Sequence, residues 1–235
     1  MNTNKELNLL NHKIVYDITK FTTTDYYDHL SCVVWLSGCN MRCLYCYNDN
    51  IVNSKSGKYT YNDVLTFLKK RVGLLDGVVL SGGEALMHDL SPFCKEIKNL
   101  GFKIKLDTNG INYKGLKKLL EEDLIDYIAL DYKAPYYKYE QITKTNRYFD
   151  FLKSLKYLIE KKFNFEVRST IHGDLLDIND INQMVNMLYF LGYRNTYYLQ
   201  NFLETPSNIG DIEASTKELN FSQIETNKLN IEIRN

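Results

Sequence analysis

Short apolar runs alternate along this chain with stretches whose apolar positions recur every three or four residues. Runs of strand length, rich in apolar and β-branched residues, fall at 30–36 (LSCVVWL), 77–80 (GVVL), 102–106, 127–130, 165–169 and 196–199. Runs of this kind suit strands buried on both faces. Helical periods fill the gaps. Phe93, Cys94, Ile97 and Leu100 form one stripe, with Ser91 as N-cap, Pro92 in the first turn and Gly101 as the stop. Ile178, Ile181, Val185 and Leu188 form a second, ending at Gly192. A third runs over 149–162 through Leu152, Leu155 and Ile159.

Repeated strand–helix units imply right-handed crossovers and mainly parallel strands. A closed eight-unit barrel takes roughly 250 residues, about 30 per unit. The units here run from about 30 to 201, room for about six, so the pattern predicts a partial, open (β/α)6 barrel. Its chemistry is expected at the C-terminal ends of the strands.

The 235 residues hold no repeat, no low-complexity segment and no Pro/Gly/Ser-rich linker. One domain over 1–235 is the simplest reading, with a core over about 13–201 and a weakly patterned extension over 202–235. Lys plus Arg equals Asp plus Glu, which leaves no general electrostatic footprint for nucleic acid or acidic membranes. No apolar run reaches the ~18 residues of a bilayer span. Residues 1–10 are polar and lack the core of a secretory signal, so a cytoplasmic location is expected, where thiols stay reduced. The 19 tyrosines, beside abundant Lys, Asn and Ile, read as compositional bias ahead of a binding surface.

Five cysteines, an odd number, make a poor disulfide framework. Cys32 and Cys94 stand alone and read as small buried hydrophobes. The other three lie in Gly38-Cys39-Asn40-Met41-Arg42-Cys43-Leu44-Tyr45-Cys46, with spacing C-x3-C-x2-C. Three thiolates can wrap one face of a soft metal centre. On a four-iron cluster, three cysteines leave one iron without a protein ligand, the open position that catalytic metals need. Zinc would want a fourth Cys or His close by, and the nearest later histidine is His88. An electron-transfer cluster would want a fourth cysteine. Positions 39, 43 and 46 could also share a helix face, but Gly38, Asn40 and Arg42 at a strand end favour a loop.

With Tyr45 before the last cysteine, this motif resembles the signature of the radical S-adenosylmethionine (SAM) superfamily. Thr22-Thr23-Thr24-Asp25-Tyr26, followed by VVWLSGCNMRCLYCYN, resembles the activases of glycyl radical enzymes. The likeness is nearest to the type acting on anaerobic ribonucleoside-triphosphate reductase and more distant for the pyruvate formate-lyase type. It extends over roughly 13–201. It implies a 4Fe-4S cluster on Cys39, Cys43 and Cys46, SAM on the open iron, and no auxiliary cluster.

The resemblance implies roles for the later strand ends. Ser81-Gly82-Gly83-Glu84 would bind the SAM amino group; on its own it is also a simple turn whose glycines admit close backbone approach. Asp107 and Thr108 of Asp107-Thr108-Asn109-Gly110, with Asp131 of Asp131-Tyr132-Lys133, would hold a monovalent cation near the SAM carboxylate; Asn109 counts among the cofactor-binding residues, and Lys133 could pair with a carboxylate. Read locally, the first is an Asx turn closed by Gly110 and the second a solvated Asp131–Lys133 pair. Arg168, a charge inside a strand, needs a partner: SAM, or an ion pair with Glu166 or another strand-end acid. Gln200 and Asn201 could face the adenosine or the substrate. Tyr47 and Asp49 stand where many activases carry His and Pro, and Ala85 where Pro is common. The implied chemistry is reductive cleavage of SAM to a 5′-deoxyadenosyl radical that takes a glycine Cα hydrogen from a partner such as the anaerobic reductase. A flavodoxin- or ferredoxin-type protein would donate the electron. The alternatives are a radical SAM enzyme on a small molecule, of the 7-carboxy-7-deazaguanine synthase type, and a metal-binding module without turnover.

Overall fold

The six apolar runs all form strands in the computed structural model, which describes residues 10–234. The reading of 1–10 as lacking a secretory signal falls almost wholly outside those residues. The chain divides into two compact units that interleave in sequence.

The first unit takes the chain up to Asn40, with Asn50–Thr108 and Lys114–Ile128. Strand β1 (Val15–Thr22) pairs antiparallel with β2 (Ser31–Leu36). Parallel to β2 lies β3 (Gly77–Gly82), and parallel to that β4 (Lys103–Thr108). The register aligns Val34 with Leu80, and Leu80 with Leu106, all fully buried. Helices α1 (Asp49–Asn53), α2 (Tyr61–Lys69), α3 (Ser91–Asn99) and α4 (Tyr113–Glu121) lie on the connections. Tyr61 of α2 stacks on Phe93 of α3 at 4.1 Å, so the packing of α2 rests on an aromatic pair.

The second unit takes Met41–Asp49, Asn109–Tyr113 and everything from Ala129. It holds the last three residues of β5 (Tyr127–Asp131), α5 (Tyr136–Thr143), α6 (Tyr148–Glu160), β6 (Phe165–Ile171), α7 (Ile178–Leu191), β7 (Tyr197–Asn201) and β8 (Ile231–Arg234). Strands β6, β7 and β8 are parallel neighbours. β1 and β8 are edge strands, and apart from β1 every strand paired above runs parallel to its neighbour, as the repeated strand–helix pattern requires.

Two strands and one cap differ from the sequence reading. β1 and β8 lie outside the six units: only the ends of β1 are buried and no residue of β8 is, so neither carries a strong apolar run. The N-cap of α3 is Leu90 rather than Ser91. Ser91 is the first helical residue; its N–H donates to Asp89 Oδ1 at 3.3 Å, and the N-cap itself makes no side-chain hydrogen bond. The tyrosines serve the core as well as the composition. Tyr132, Tyr139, Tyr193 and Tyr197 of the second unit are fully buried, and Tyr193 Oη donates to Thr196 O while accepting Val167 N–H.

Helix α7 opens with a reciprocal capping box: Asp177 accepts from Asp180 N–H at 2.9 Å and Asp180 from Asp177 N–H at 2.7 Å. Replacing Asp177 by Ala should cost about 1 kcal/mol. The urea midpoint should fall at constant m-value, with Asp177→Asn close to wild type; an unchanged midpoint in the Ala variant would contradict the assignment.

Candidate metal centre

The cysteine motif forms an irregular loop, not a helix, between β2 and α1. Its root belongs to the first unit and is anchored by backbone bonds. Ser37 N–H reaches Ile14 O at 3.0 Å, Gly38 N–H reaches Ile51 O at 2.8 Å, and Gly38 O accepts from Glu84 N–H at 2.9 Å. The glycines after β3 make room for this root. A Cβ on Gly82 would stand 2.3 Å from Leu36 O, and one on Gly83 would stand 2.0 Å from Gly38 O and 3.1 Å from Cys39 Cβ. The space freed by the missing side chains is therefore filled by the chain's own cysteine loop. His88 is committed too: its Nε2 donates to Ser37 O at 2.8 Å.

Glu84, Asp107 and Thr108 are brought together in the same unit. Thr108 Oγ1 donates to Glu84 Oε1 at 2.6 Å, and Glu84 also accepts Leu86 N–H at the head of a 3-10 turn, Ala85–Met87. Asp107 accepts from Ser81 Oγ at 3.2 Å and pairs with Lys105 at 3.1 Å, both nearly buried. Glu84 is thus held at the strand edge by a partner 24 residues away.

The remaining motif residues belong to the second unit. Backbone bonds hold residues 42–46 on one side: Arg42 N–H donates to Thr143 O at 2.9 Å and Leu44 N–H to Ile142 O at 3.0 Å. These carbonyls close the last turn of α5, where a helix has acceptors without partners of its own. Tyr45 is 5% exposed, and Lys133 Nζ lies over its ring at 5.9 Å. The Tyr45 hydroxyl faces the Cys43 thiol without closing a hydrogen bond of normal geometry. Burial pushes the Cys43 thiol up to about 11, against the pull of the Lys133 ammonium.

Asp131 organises the neighbouring charges. Its carboxylate accepts from Arg168 Nε at 2.6 Å and Lys133 Nζ at 2.9 Å. Burial alone would raise its pKa, but the Arg168 and Lys133 cations overrule it and hold it down to about 2. The pair with Lys133 is four-fifths buried or more rather than solvated, which corrects the local reading. Arg168 pairs with Asp131, a strand-end acid, and Glu166 pairs with Arg234 on β8 at 3.1 Å. Asn109 makes the expected Asx turn, accepting Ile111 N–H at 3.1 Å, and Gly110 follows with φ +74°. Gln200 and Asn201 end β7 as partly exposed residues.

These residues fit an iron–sulfur cluster on the chemistry of the donors. Three thiols within one loop, with the buried Tyr45 hydroxyl beside that of Cys43, are soft ligands of the kind such a cluster takes. Among the described residues there is no group of three or more His, Cys, Asp or Glu side chains arranged to hold a metal ion. Cys32 and Cys94 are fully buried, and burial pushes both thiols up to about 12, as suits apolar packing.

Sequence reasoning did not find Lys105 at Asp107, Asp131 as the partner of Arg168, or the α5 carbonyls on the loop. The charge of Arg168 within a strand was the one available signal.

In comparison with known proteins, the family model of the radical SAM superfamily matches residues 33–188. A protein of Methanocaldococcus jannaschii, named as a candidate glycyl-radical enzyme activating enzyme, is 32% identical over 182 residues, 73% of this chain and 73% of its own length. The 7-carboxy-7-deazaguanine synthase of Aquifex aeolicus is 27% identical over 138 residues, 58% of this chain and 59% of its own. Among solved structures, Streptococcus suis SuiB bound to S-adenosylmethionine superposes with a TM-score of 0.69 at 14% identity. That match covers 86% of this chain and 50% of the other, and it bears on the fold alone.

Neutralising Asp131 leaves two buried cations facing each other, so Asp131→Asn should cost about 3 kcal/mol in the cluster-free chain. The pH dependence has a definite sign. The folded value lies below the ordinary 3.8, so the stabilisation is complete above that value and lost as pH falls through about 2. Chemical denaturation between neutral pH and pH 2 should show wild type losing its advantage over the variant across that window. A constant difference would contradict the network.

Proposed function

Because the chain belongs to the radical SAM superfamily, with a glycyl-radical activating relative across 73% of its length, we propose that it is a glycyl-radical-activating enzyme. Cys39, Cys43 and Cys46 are its metal ligands, holding one 4Fe-4S cluster with an iron open for SAM. The observation that carries the reading is the three-thiol loop, anchored at its root by Ile14, Ile51 and Glu84 and further along by the α5 carbonyls. When bound, the reduced cluster and SAM supply a 5′-deoxyadenosyl radical that removes a hydrogen atom from the substrate.

The chain's own residues bind and orient. The Gly82–Gly83–Glu84 edge offers backbone and carboxylate oxygens to the SAM amino group, with Thr108 fixing the Glu84 rotamer. Lys133 and Arg168, held by Asp131, offer cationic donors to the SAM carboxylate. Asn109 shapes the turn after β4, and Tyr45 supplies an aromatic wall beside the ligand loop. A monovalent cation would take oxygens of Asp107, Thr108 and Asp131. It would share the two carboxylates with Lys105 and with the Arg168–Lys133 pair.

The substrate in this reading is a backbone glycine on a partner glycyl radical enzyme, with the anaerobic ribonucleotide reductase as first choice. A flavodoxin- or ferredoxin-type protein supplies the electron. The whole chain over 1–235 acts as one radical SAM domain in the cytoplasm, without nucleic acid or membrane; no described helix is long and apolar enough to cross a bilayer. The Aquifex aeolicus relative supports a second reading, a radical SAM enzyme acting on a small molecule.

Anaerobic protein reconstituted with iron and sulfide should release 5′-deoxyadenosine from SAM and dithionite, and the Cys43→Ala variant should not. Equal release from both would reject the enzyme reading. Added to the reductase, the active protein should generate the electron paramagnetic resonance doublet of a glycyl radical. Turnover of a small molecule with no protein radical would favour the second reading.

A further inference from the structure

The C-terminal segment beyond β7 carries no motif, yet it returns to the cysteine loop inside the second unit. Gly210 N–H donates to Leu44 O at 2.8 Å and Ile209 N–H to Cys46 O at 2.9 Å. Leu44 is therefore gripped on both sides, its N–H by Ile142 O and its carbonyl by Gly210. The approach demands glycine: a Cβ on Gly210 would lie 2.7 Å from Leu44 O and 2.9 Å from Leu44 Cα. Asn208, 7% exposed, shapes this turn by accepting Ile212 N–H at 2.9 Å and donating to Ile212 O at 2.7 Å.

The other end of the segment is fastened to the loop after β6. A ring nitrogen of His172 lies 2.8 Å from Glu213 O, and Asp174 accepts both Thr216 N–H and Thr216 Oγ1 at 2.8 Å. Residues 208–217 thus form a strap tied at one end to the ligand loop and at the other to the C-terminal edge of β6. A loop with no regular structure has few bonds of its own, so those supplied from outside fix where its side chains point.

We propose that the strap is a positioning element for the metal centre, with Gly210 and Asn208 as positioning residues that keep the Cys43–Cys46 ligand pair in place. This rests on the reading of that pair as cluster ligands. A loosened strap lets the loop fluctuate and the thiolates come off iron more often, while the core stays folded.

The test uses the reconstituted full-length protein and an iron chelator under anaerobic conditions. Gly210→Val and the milder Asn208→Ala should each lose cluster iron about tenfold faster than wild type, the scale of one net hydrogen bond. The cluster-free variants should melt within a few degrees of wild type. Iron loss at the wild-type rate in both variants would overturn the proposal, as would faster loss matched by an equal loss of global stability. Should Gly210→Val fail to fold, Asn208→Ala decides alone. A wild-type protein that takes up no iron would instead overturn the metal-centre reading itself.

Discussion

Three thiols make a defined metal site only if the backbone carrying them is fixed, and an irregular loop cannot fix itself. Here hydrogen bonds from outside do so. The root at Ser37 and Gly38 is tied to residues 14, 51 and 84; Arg42, Leu44 and Cys46 are tied to α5 and to the strap. Most of these bonds join main-chain groups, so they constrain position without asking for particular side chains.

The same economy governs the charges. A buried carboxylate or guanidinium alone is costly, and the ones at these strand ends have partners. Asp131 answers Arg168 and Lys133, Asp107 answers Lys105, and Glu84 is held by a hydroxyl and a backbone amide. The site residues are thereby oriented by the protein itself, which is the preorganisation a polar ligand needs.

The core strands were legible because burial on both faces writes a continuous apolar run into the chain, as at Cys32–Val34 and Val78–Leu80. β1 and β8 were not, because edge strands exposed along much of their length carry no such run. That the cysteine motif is a loop and not a helix was legible from Gly38, Asn40 and Arg42 at a strand end. Its supports were not: a carbonyl of Ile142 or an amide of Gly210 has no side-chain signature, and contacts between residues so far apart in the chain leave no local pattern. Arg168 announced that it needed a partner but not which one, since the packing of elements distant in sequence decides that Asp131 meets it.

The central claim is a four-iron cluster gripped by three sulfurs, with the fourth iron left to SAM. Mössbauer spectroscopy of anaerobic protein loaded with enriched iron, recorded before and after SAM, addresses it most directly. The account predicts a cubane signal in which one iron site alone shifts towards higher coordination when SAM is added. Spectra unchanged by SAM, or protein that retains zinc in place of iron at the trio, would contradict it.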